Sequence, residues 1–177
     1  YTFLGEIEMK LYIGIDNGVT GSIGFVGTEY DNFVLTPTIK EQSYTKAKNL
    51  ITRVDVVALK KLLEDTMQSA KVSSNECMVI MERPLINPTM FKASISASRA
   101  LEATLGIVEQ LELPHIYVDS KQWQREMLPK GTTGTPELKK ASKDIAERLY
   151  PRHKKIIDKH KDADGLLIAR WGKQNSL

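Results

Sequence analysis

The sequence predicts an α/β domain in which helices flank both faces of a mixed central β-sheet. Three observations favour this fold class. Short apolar runs rich in strand-forming residues alternate with longer segments of helical periodicity. A tight-turn signal, Asn17-Gly18, joins the first two runs and predicts an antiparallel hairpin. A later run, 77–81, is apolar throughout, as expected of a central strand that is covered on both sides.

The first part of the chain is predicted to be mainly strands. Residues 10–16 and 22–26 form the hairpin, and a third strand lies within 32–38. The polar stretch 40–53 is predicted to be a loop. Asp55 is predicted to cap a helix. The apolar positions of that helix follow the helical period and are Val56, Leu59, Leu62, Leu63 and Met67.

Strands and helices alternate in the rest of the chain. Cys77, the only cysteine, is predicted to be a buried strand residue, and a single cysteine excludes an intramolecular disulfide. Pro136 is typical of the first turn of a helix. The predicted elements are a strand at 77–81, a helix at about 94–111, a strand at 115–118, a short helix from 119 or 120 to 127, a loop at 131–134, a helix at 135–149 and a last helix at about 163–171.

Length and composition indicate one globular domain. The chain has 177 residues, of which 41% are hydrophobic and 27% charged. Residues 1–8 read as an upstream extension or an expression remnant, and 9–177 as a single domain without a linker. No apolar run approaches the ~18–20 residues that a membrane helix needs, so no membrane partner is expected.

The basic residues are concentrated in one part of the chain. The net charge is only +3, but 121–161 contains twelve Lys and Arg against five Asp and Glu. Such a stretch is usually a solvated helix face. It indicates a polyanionic partner only if an independent site points the same way.

Three acids stand at the ends of predicted elements. Asp16 ends the first strand, Glu82 follows the central strand, and Asp164 opens the last helix. Each has a simple structural explanation, as a turn residue, a surface residue or a helix-terminal acid. Strand ends at one edge of an open α/β sheet, however, bring side chains together. Clustered carboxylates repel one another unless a cation neutralises them, and oxygen ligands favour Mg²⁺.

Three motifs carry a resemblance to a known family: 13–24 (IGIDNGVTGSIG), 81–84 (MERP) and 162–169 (DADGLLIA). They resemble the successive motifs of RuvC-type Holliday junction resolvases, especially phage-encoded ones, within the ribonuclease H-like superfamily. The resemblance covers nearly the whole chain from Met9 and includes Trp123, 139–142 and 149–151. It implies a ribonuclease H-like fold, a homodimer, and two Mg²⁺ ions per site, for which Mn²⁺ would substitute. It also implies paired symmetric nicks across a four-way DNA junction.

The resemblance implies that Asp16, Glu82 and Asp164 are metal ligands. The family usually places an acid or a histidine three or four residues before the last aspartate. Here those positions hold Lys161 and His160, so His160 is predicted to be a ligand or a general acid–base. Asp162 is the alternative if the last helix begins late.

Further residues are candidates for DNA contact. Lys139 or Lys140 could approach the scissile phosphate and stabilise its developing charge. Phe91, in the loop that follows Glu82, could wedge against an unstacked base. Lys92 and Arg99 suit phosphate contacts, which position a protein without reading sequence. The simple alternatives are solvated lysines and an aromatic residue that packs on its own domain.

Other functions fit parts of the sequence. A nuclease of the same superfamily that acts on flaps, forks or RNA–DNA hybrids would have the same metal site. The turn at Asp16 also resembles the first phosphate loop of actin-like ATPases, but those proteins need two such domains. A nonenzymatic DNA-binding relative would have no need of all three acids. The helix at 94–111 is a candidate for part of the dimer interface, because its apolar stripe exceeds what one sheet face would cover. The phage-like motifs suggest the cytoplasm of a bacterial host.

Overall fold

The computed structural model describes residues 9–44, 46 and 48–177, so the predicted extension at 1–8 lies outside the described residues. The strands are β1 Leu11–Asp16, β2 Ser22–Gly27, β3 Asp31–Leu35, β4 Thr38–Gln42, β5 Leu50–Val54, β6 Cys77–Glu82 and β7 His115–Val118. The helices are α1 Val56–Ala70, α2 Phe91–Gln110, α3 Ser120–Met127, α4 Thr135–Leu149, α5 Lys154–Lys159 and α6 Asp164–Gln174. None of the helices described is long and apolar enough to cross a membrane.

Five of the strands form a mixed sheet in the order β3-β2-β1-β6-β7. β1, β2 and β3 are antiparallel neighbours, whereas β6 runs parallel to both β1 and β7. Ile15 pairs with Met81 in the parallel register. The next residues, Asp16 and Glu82, therefore leave the sheet side by side at the same edge.

Helices cover both faces of this sheet, which confirms the predicted fold class. One core contains Tyr12 of β1, Trp123 of α3 and Leu166 of α6. The other contains Ile13 of β1 and the helical residues Leu59 and Val108. Neighbouring residues of β1 thus enter opposite cores, as the twofold alternation of a strand requires.

Cys77 is completely buried in β6, as predicted. Burial raises the pKa of its thiol to about 12, which keeps the sulfur in the unreactive protonated form.

Three glycines let α6 lie directly on the sheet. A Cβ atom on Gly14 would meet the backbone of Ala169 and Gly165 at less than 3.0 Å. One on Gly24 would meet the backbone of Leu166 in the same way, and Gly165 faces the carbonyl of Ser22. Backbone therefore packs on backbone here, and the first residue of α6 is held beside the end of β1.

The prediction of a loop at 40–53 was wrong in part. Thr38–Gln42 and Leu50–Val54 pair as an antiparallel hairpin outside the main sheet, with an Arg53–Glu41 ion pair at 2.6 Å. Most of its side chains are exposed or half-buried. The strands therefore lack the apolar alternation by which buried strands are recognised. The basic helix α5 was missed for a similar reason, and α2 begins three residues earlier than expected.

Candidate active site

Three carboxylates converge where α6 meets the end of β1. Asp16, Asp162 and Asp164 each offer one oxygen atom, and these atoms lie within 4.8 Å of one another. Asp16 and Asp162 are only 7% and 1% exposed. The site is thus built from the last residue of a central strand and from the chain that enters α6.

Glu82 borders this cluster from the end of β6. Its Oε1 atom accepts a hydrogen bond of 2.9 Å from the indole nitrogen of Trp123, which is completely buried. Glu82 lies outside the group of three, but its charge contributes to raising the pKa of both Asp16 and Asp164. Trp123 therefore orients the fourth acid of the site.

Replacing Trp123 by Phe tests this orientation. We expect the Trp123→Phe variant to bind Mn²⁺ about 10- to 100-fold less well, because groups that orient metal ligands matter on that scale. Calorimetric titration with Mn²⁺ would measure this loss. Trp171→Phe, two helical turns beyond Asp164, is the matched control for loss of a buried indole. Equal losses in the two variants would show that Trp123 only supports the core.

Asp162, more than His160, is placed to complete the acid cluster. α6 begins at Asp164, so Asp162 precedes the helix. The regular spacing of side chains around a helix therefore does not turn Asp162 away from Asp164. The Nδ1 atom of His160 lies 2.8 Å from the carbonyl oxygen of Asp162, and its Nε2 atom lies 3.2 Å from that of Thr20. Both ring nitrogens thus face backbone carbonyls, and His160 does not belong to the group of three residues whose ligand atoms converge. The geometry thus favours Asp162 as ligand and gives His160 a bracing role.

Lys161 is a component of the site that the sequence reasoning did not recognise. Its Nζ atom lies 3.6 Å from Oδ2 of Asp16 and 3.4 Å from Oδ2 of Asp162. From sequence, position 161 is only the place where the resembling family usually has an acid or a histidine. Its spacing of three residues before Asp164 was the signal that it belongs to the cluster.

Two serines that sequence reasoning also missed make hydrogen bonds to the first residues of α6 and to the residue before them. The hydroxyl of Ser142 on α4 donates to Oδ1 of Asp164 at 2.6 Å and accepts from the backbone nitrogen of Ala163 at 3.1 Å. The hydroxyl of Ser22 accepts from the backbone nitrogen of Gly165 at 3.2 Å. These contacts fix the direction of the Asp164 carboxylate.

The electrostatics of the cluster suit a divalent cation. Burial raises the pKa of Asp16 well above its ordinary value; Lys161 opposes this shift, and the neighbouring acids reinforce it. Burial and the charge of Asp162 raise the pKa of Asp164 to about 7. The Oδ2 atom of Asp16 is buried and receives no hydrogen bond from the part of the chain that the structure describes. A cation with oxygen preference would relieve both the repulsion and the missing partner, so the residues fit such an ion.

The raised pKa of Asp164 predicts a pH dependence for the metal-free protein. A carboxyl group with a folded-state pKa of about 7 and an unfolded value of about 4 stabilises the fold at low pH. That stability is lost as the pH rises between these two values. We expect the free energy of unfolding to fall by a few kcal/mol over this window.

Urea denaturation in the presence of EDTA, at intervals from pH 4 to pH 7, would measure this effect. Asp164→Asn should flatten the decrease, and Asp65→Asn on the exposed face of α1 should leave it unchanged. A free energy of unfolding that rises with pH in the wild type would contradict the raised pKa of Asp164. An equal dependence of this free energy on pH in Asp164→Asn would contradict it as well.

The predicted DNA-contact residues lie on two helices, α4 and α2. Lys139 is half-buried and lies one turn before Ser142 on α4, whereas Lys140 is exposed and points to another side of that helix. Phe91 is 68% exposed at the start of α2, so it does not pack into its own core. Lys92 is exposed beside it. The guanidinium of Arg99 instead lies 6.0 Å from the ring centre of Tyr44.

Comparisons with known proteins find similarity of structure only. No family model and no curated protein matches the chain. RuvC of T. thermophilus, solved in complex with a Holliday junction substrate, is 18% identical over 94% of both chains, with a TM-score of 0.55. A second T. thermophilus RuvC structure is 15% identical over 93% of this chain and 96% of that one, with a TM-score of 0.49. The yeast mitochondrial Holliday junction resolvase is 12% identical over 96% and 84%, with a TM-score of 0.43.

Among these three structures, the T. thermophilus RuvC in complex with a junction has a TM-score above 0.5, which supports a comparison of folds. The similarity extends over nearly the full length of both proteins, and the mixed five-stranded sheet with helices on both faces agrees with it. This chain therefore has the ribonuclease H-like fold seen in RuvC, as the sequence predicts.

Proposed function

We propose that this protein is a divalent-cation-dependent endonuclease that cuts branched DNA, with the four-way junction as its principal substrate. The observation that carries the proposal is the buried carboxylate cluster at the edge of a ribonuclease H-like sheet. In this cluster, Oδ2 of Asp16 has no hydrogen-bond donor among the described residues. Buried acids without enough compensating charge are costly for stability, so a functional reason is needed for their placement.

Mg²⁺, with Mn²⁺ as its substitute, would be held by Asp16, Asp162 and Asp164, with Glu82 beside them. When bound, such an ion activates a water molecule and stabilises the developing charge on a phosphodiester. Trp123 and Ser142 keep two of the acids oriented through the hydrogen bonds described above. Lys139, on the Ser142 side of α4, is the lysine better placed to approach the scissile phosphate.

Two surface features support DNA as the substrate. The basic stretch 121–161 includes α4 and α5, which adjoin the acid cluster. The segment that follows Glu82 exposes large apolar side chains to solvent, and these are Leu85, Ile86, Met90 and Phe91. Exposed apolar groups next to a nuclease site suit unstacked bases, which a branch point offers and a regular duplex does not. The junction bound to the similar RuvC of T. thermophilus supports this choice.

Symmetric cutting of a junction requires two sites at a fixed separation, so we propose a homodimer. Part of the apolar stripe of α2 packs on its own chain, since the partly buried Leu101, Leu105 and Leu111 contact the core. Ile95, 40% exposed near the start of α2, is available for a contact between the two chains. Sedimentation equilibrium of the purified protein would give the oligomeric state.

The biological setting is part of the proposal. A phage-encoded enzyme of this kind would act in the cytoplasm of a bacterial host and remove branches from replicated or recombining DNA. Branched intermediates should then accumulate in DNA from cells that lack the gene. Their failure to accumulate would contradict this role.

A panel of substrates tests the proposed specificity. The purified protein would be incubated with a four-way junction, a flap, a fork, an RNA–DNA hybrid and a linear duplex, each with Mg²⁺ or with EDTA. We expect Mg²⁺-dependent cleavage of the junction at least about tenfold faster than of the other substrates, a preference of ~1.4 kcal/mol. Equal rates on flaps and forks would favour the broader branched-DNA nuclease. Preference for the hybrid would favour a ribonuclease H activity.

A further inference from the structure

Lys161 is held in the link between α5 and α6 by contacts on both sides. The Nζ atom of Lys143 on α4 donates to the carbonyl oxygens of Asp158 at 3.0 Å and of His160 at 2.9 Å. The ring of His160 in turn lies at hydrogen-bond distance from the carbonyls of Asp162 and Thr20. The backbone before and after Lys161 is thus tied to α4 and to the turn after β1.

This backbone directs the Lys161 side chain into the acid cluster. Its ammonium group lies between Oδ2 of Asp16 and Oδ2 of Asp162, at 3.6 Å and 3.4 Å. It approaches Asp16 at the buried oxygen for which residues 9–44, 46 and 48–177 provide no hydrogen-bond donor. Two of the four acids of the site therefore share a positive charge that the chain itself supplies.

The other two acids are outside ion-pair distance of Lys161, although its charge also opposes the rise in the pKa of Asp164. Among the described residues, neither Asp164 nor Glu82 forms an ion pair, and each has only a neutral donor, Ser142 and Trp123 respectively. The cluster thus has one side that is compensated by a cation of the chain and another side that is open to a cation from solution.

We propose that the Lys161 ammonium is a built-in cation of this site, so that each chain takes one divalent ion where the family resemblance implies two. The inference rests on the proposed function. An ion bound to Oδ2 of Asp16 at the ~2.1 Å of Mg²⁺ ligation would lie within about 6 Å of Nζ, because Nζ is 3.6 Å from the same oxygen. At that separation the Lys161 ammonium would repel a divalent ion, and this repulsion opposes the binding of a second ion beside Asp16 and Asp162. Lys161 acts through Asp16 and Asp162 and is a positioning residue.

Calorimetric titration with Mn²⁺, without DNA, tests this inference. The metal-free wild-type protein should bind one Mn²⁺ per chain. Lys161→Met, which keeps the length of the side chain and removes its charge, should bind a second ion. Its first ion should bind at least about tenfold more tightly, since a monovalent and a divalent cation about 6 Å apart repel by that much even in water.

Lys159→Met is the matched control, because it removes the same charge from an exposed side chain two residues earlier. It should still bind one ion with an affinity close to that of the wild type. Lys161→Arg, which keeps the charge, should also bind one ion. Circular dichroism would confirm that each variant is folded. The number of ions bound by the wild-type protein is itself a test of the proposal, and it does not depend on any variant.

The possible results separate the two proposals. Two ions per wild-type chain, or one ion in both wild type and folded Lys161→Met with equal affinity, would overturn the role of Lys161 and leave the nuclease proposal standing. No binding of Mn²⁺ by either protein would overturn both.

Discussion

The Asp16→Asn variant is expected to lose Mg²⁺-dependent cleavage of a four-way junction by at least about 1000-fold. Asp16 is a buried member of the acid cluster, and the charges of both Glu82 and Lys161 act on its carboxylate. An amide in its place keeps the shape and removes the charge. A bound metal contributes several kcal/mol to the stabilisation of a transition state, and each ~1.4 kcal/mol lost is a tenfold decrease in rate.

Single-turnover cleavage of an end-labelled junction would measure this loss. The variant should still bind the junction in a gel-shift assay, because phosphate contacts supply most of the affinity for DNA. Asp65→Asn, an equal change of charge on the exposed face of α1, should cleave at the wild-type rate. If Asp16→Asn keeps more than about a tenth of the wild-type rate, the substitution raises the activation free energy by less than ~1.4 kcal/mol. That result would show that Asp16 is not essential to the metal site.

The Gly14→Ala variant is expected to be destabilised by about 3 kcal/mol, at the upper end of the range for overpacking. The new methyl group would meet the backbone of Ala169 and Gly165 at less than 3.0 Å. A backbone obstacle cannot rotate away as a side chain can, so α6 must move from β1. Because Asp164 opens α6, the same displacement should also weaken Mn²⁺ binding.

Gly106→Ala supplies the control. Gly106 lies inside α2. Apart from its own helix turn, no atom of the described residues lies within 4 Å of the position of an added Cβ. That substitution should stabilise the protein by ~0.5–1 kcal/mol, the usual difference between alanine and glycine in a helix. Urea denaturation curves would give both values. A Gly14→Ala variant as stable as the wild type would contradict the direct contact between β1 and α6.

The main sheet could be predicted from sequence because its signals are local. The hairpin of β1 and β2 follows from apolar runs around Asn17-Gly18, and β6 from an unbroken apolar run. The hairpin at 38–54 could not be found in this way. It packs outside the main sheet and exposes most of its residues, so its pairing leaves no apolar pattern.

The candidate site was predictable only in part, for a related reason. Asp16, Glu82 and Asp164 stand at element ends, and element ends can be read from sequence. The place of Asp162 depends on where α6 begins, and helix boundaries depend on capping contacts such as that of Ser142 with Ala163. The direction of Lys161 depends on Lys143, eighteen residues away along the chain, and no local pattern encodes that contact.

Mapping of nicks on a four-way junction tests the central claim most directly. Each strand would be end-labelled in turn and incubated with the wild-type protein in Mg²⁺, in EDTA, and with Asp16→Asn in Mg²⁺. If the acids at the edge of this sheet form the active site of a junction-resolving nuclease, paired nicks should arise at symmetric positions near the crossover. They should arise only with the wild-type protein in Mg²⁺. Tight binding of the junction by folded protein without nicks in any divalent cation would contradict the claim and leave a DNA-binding protein.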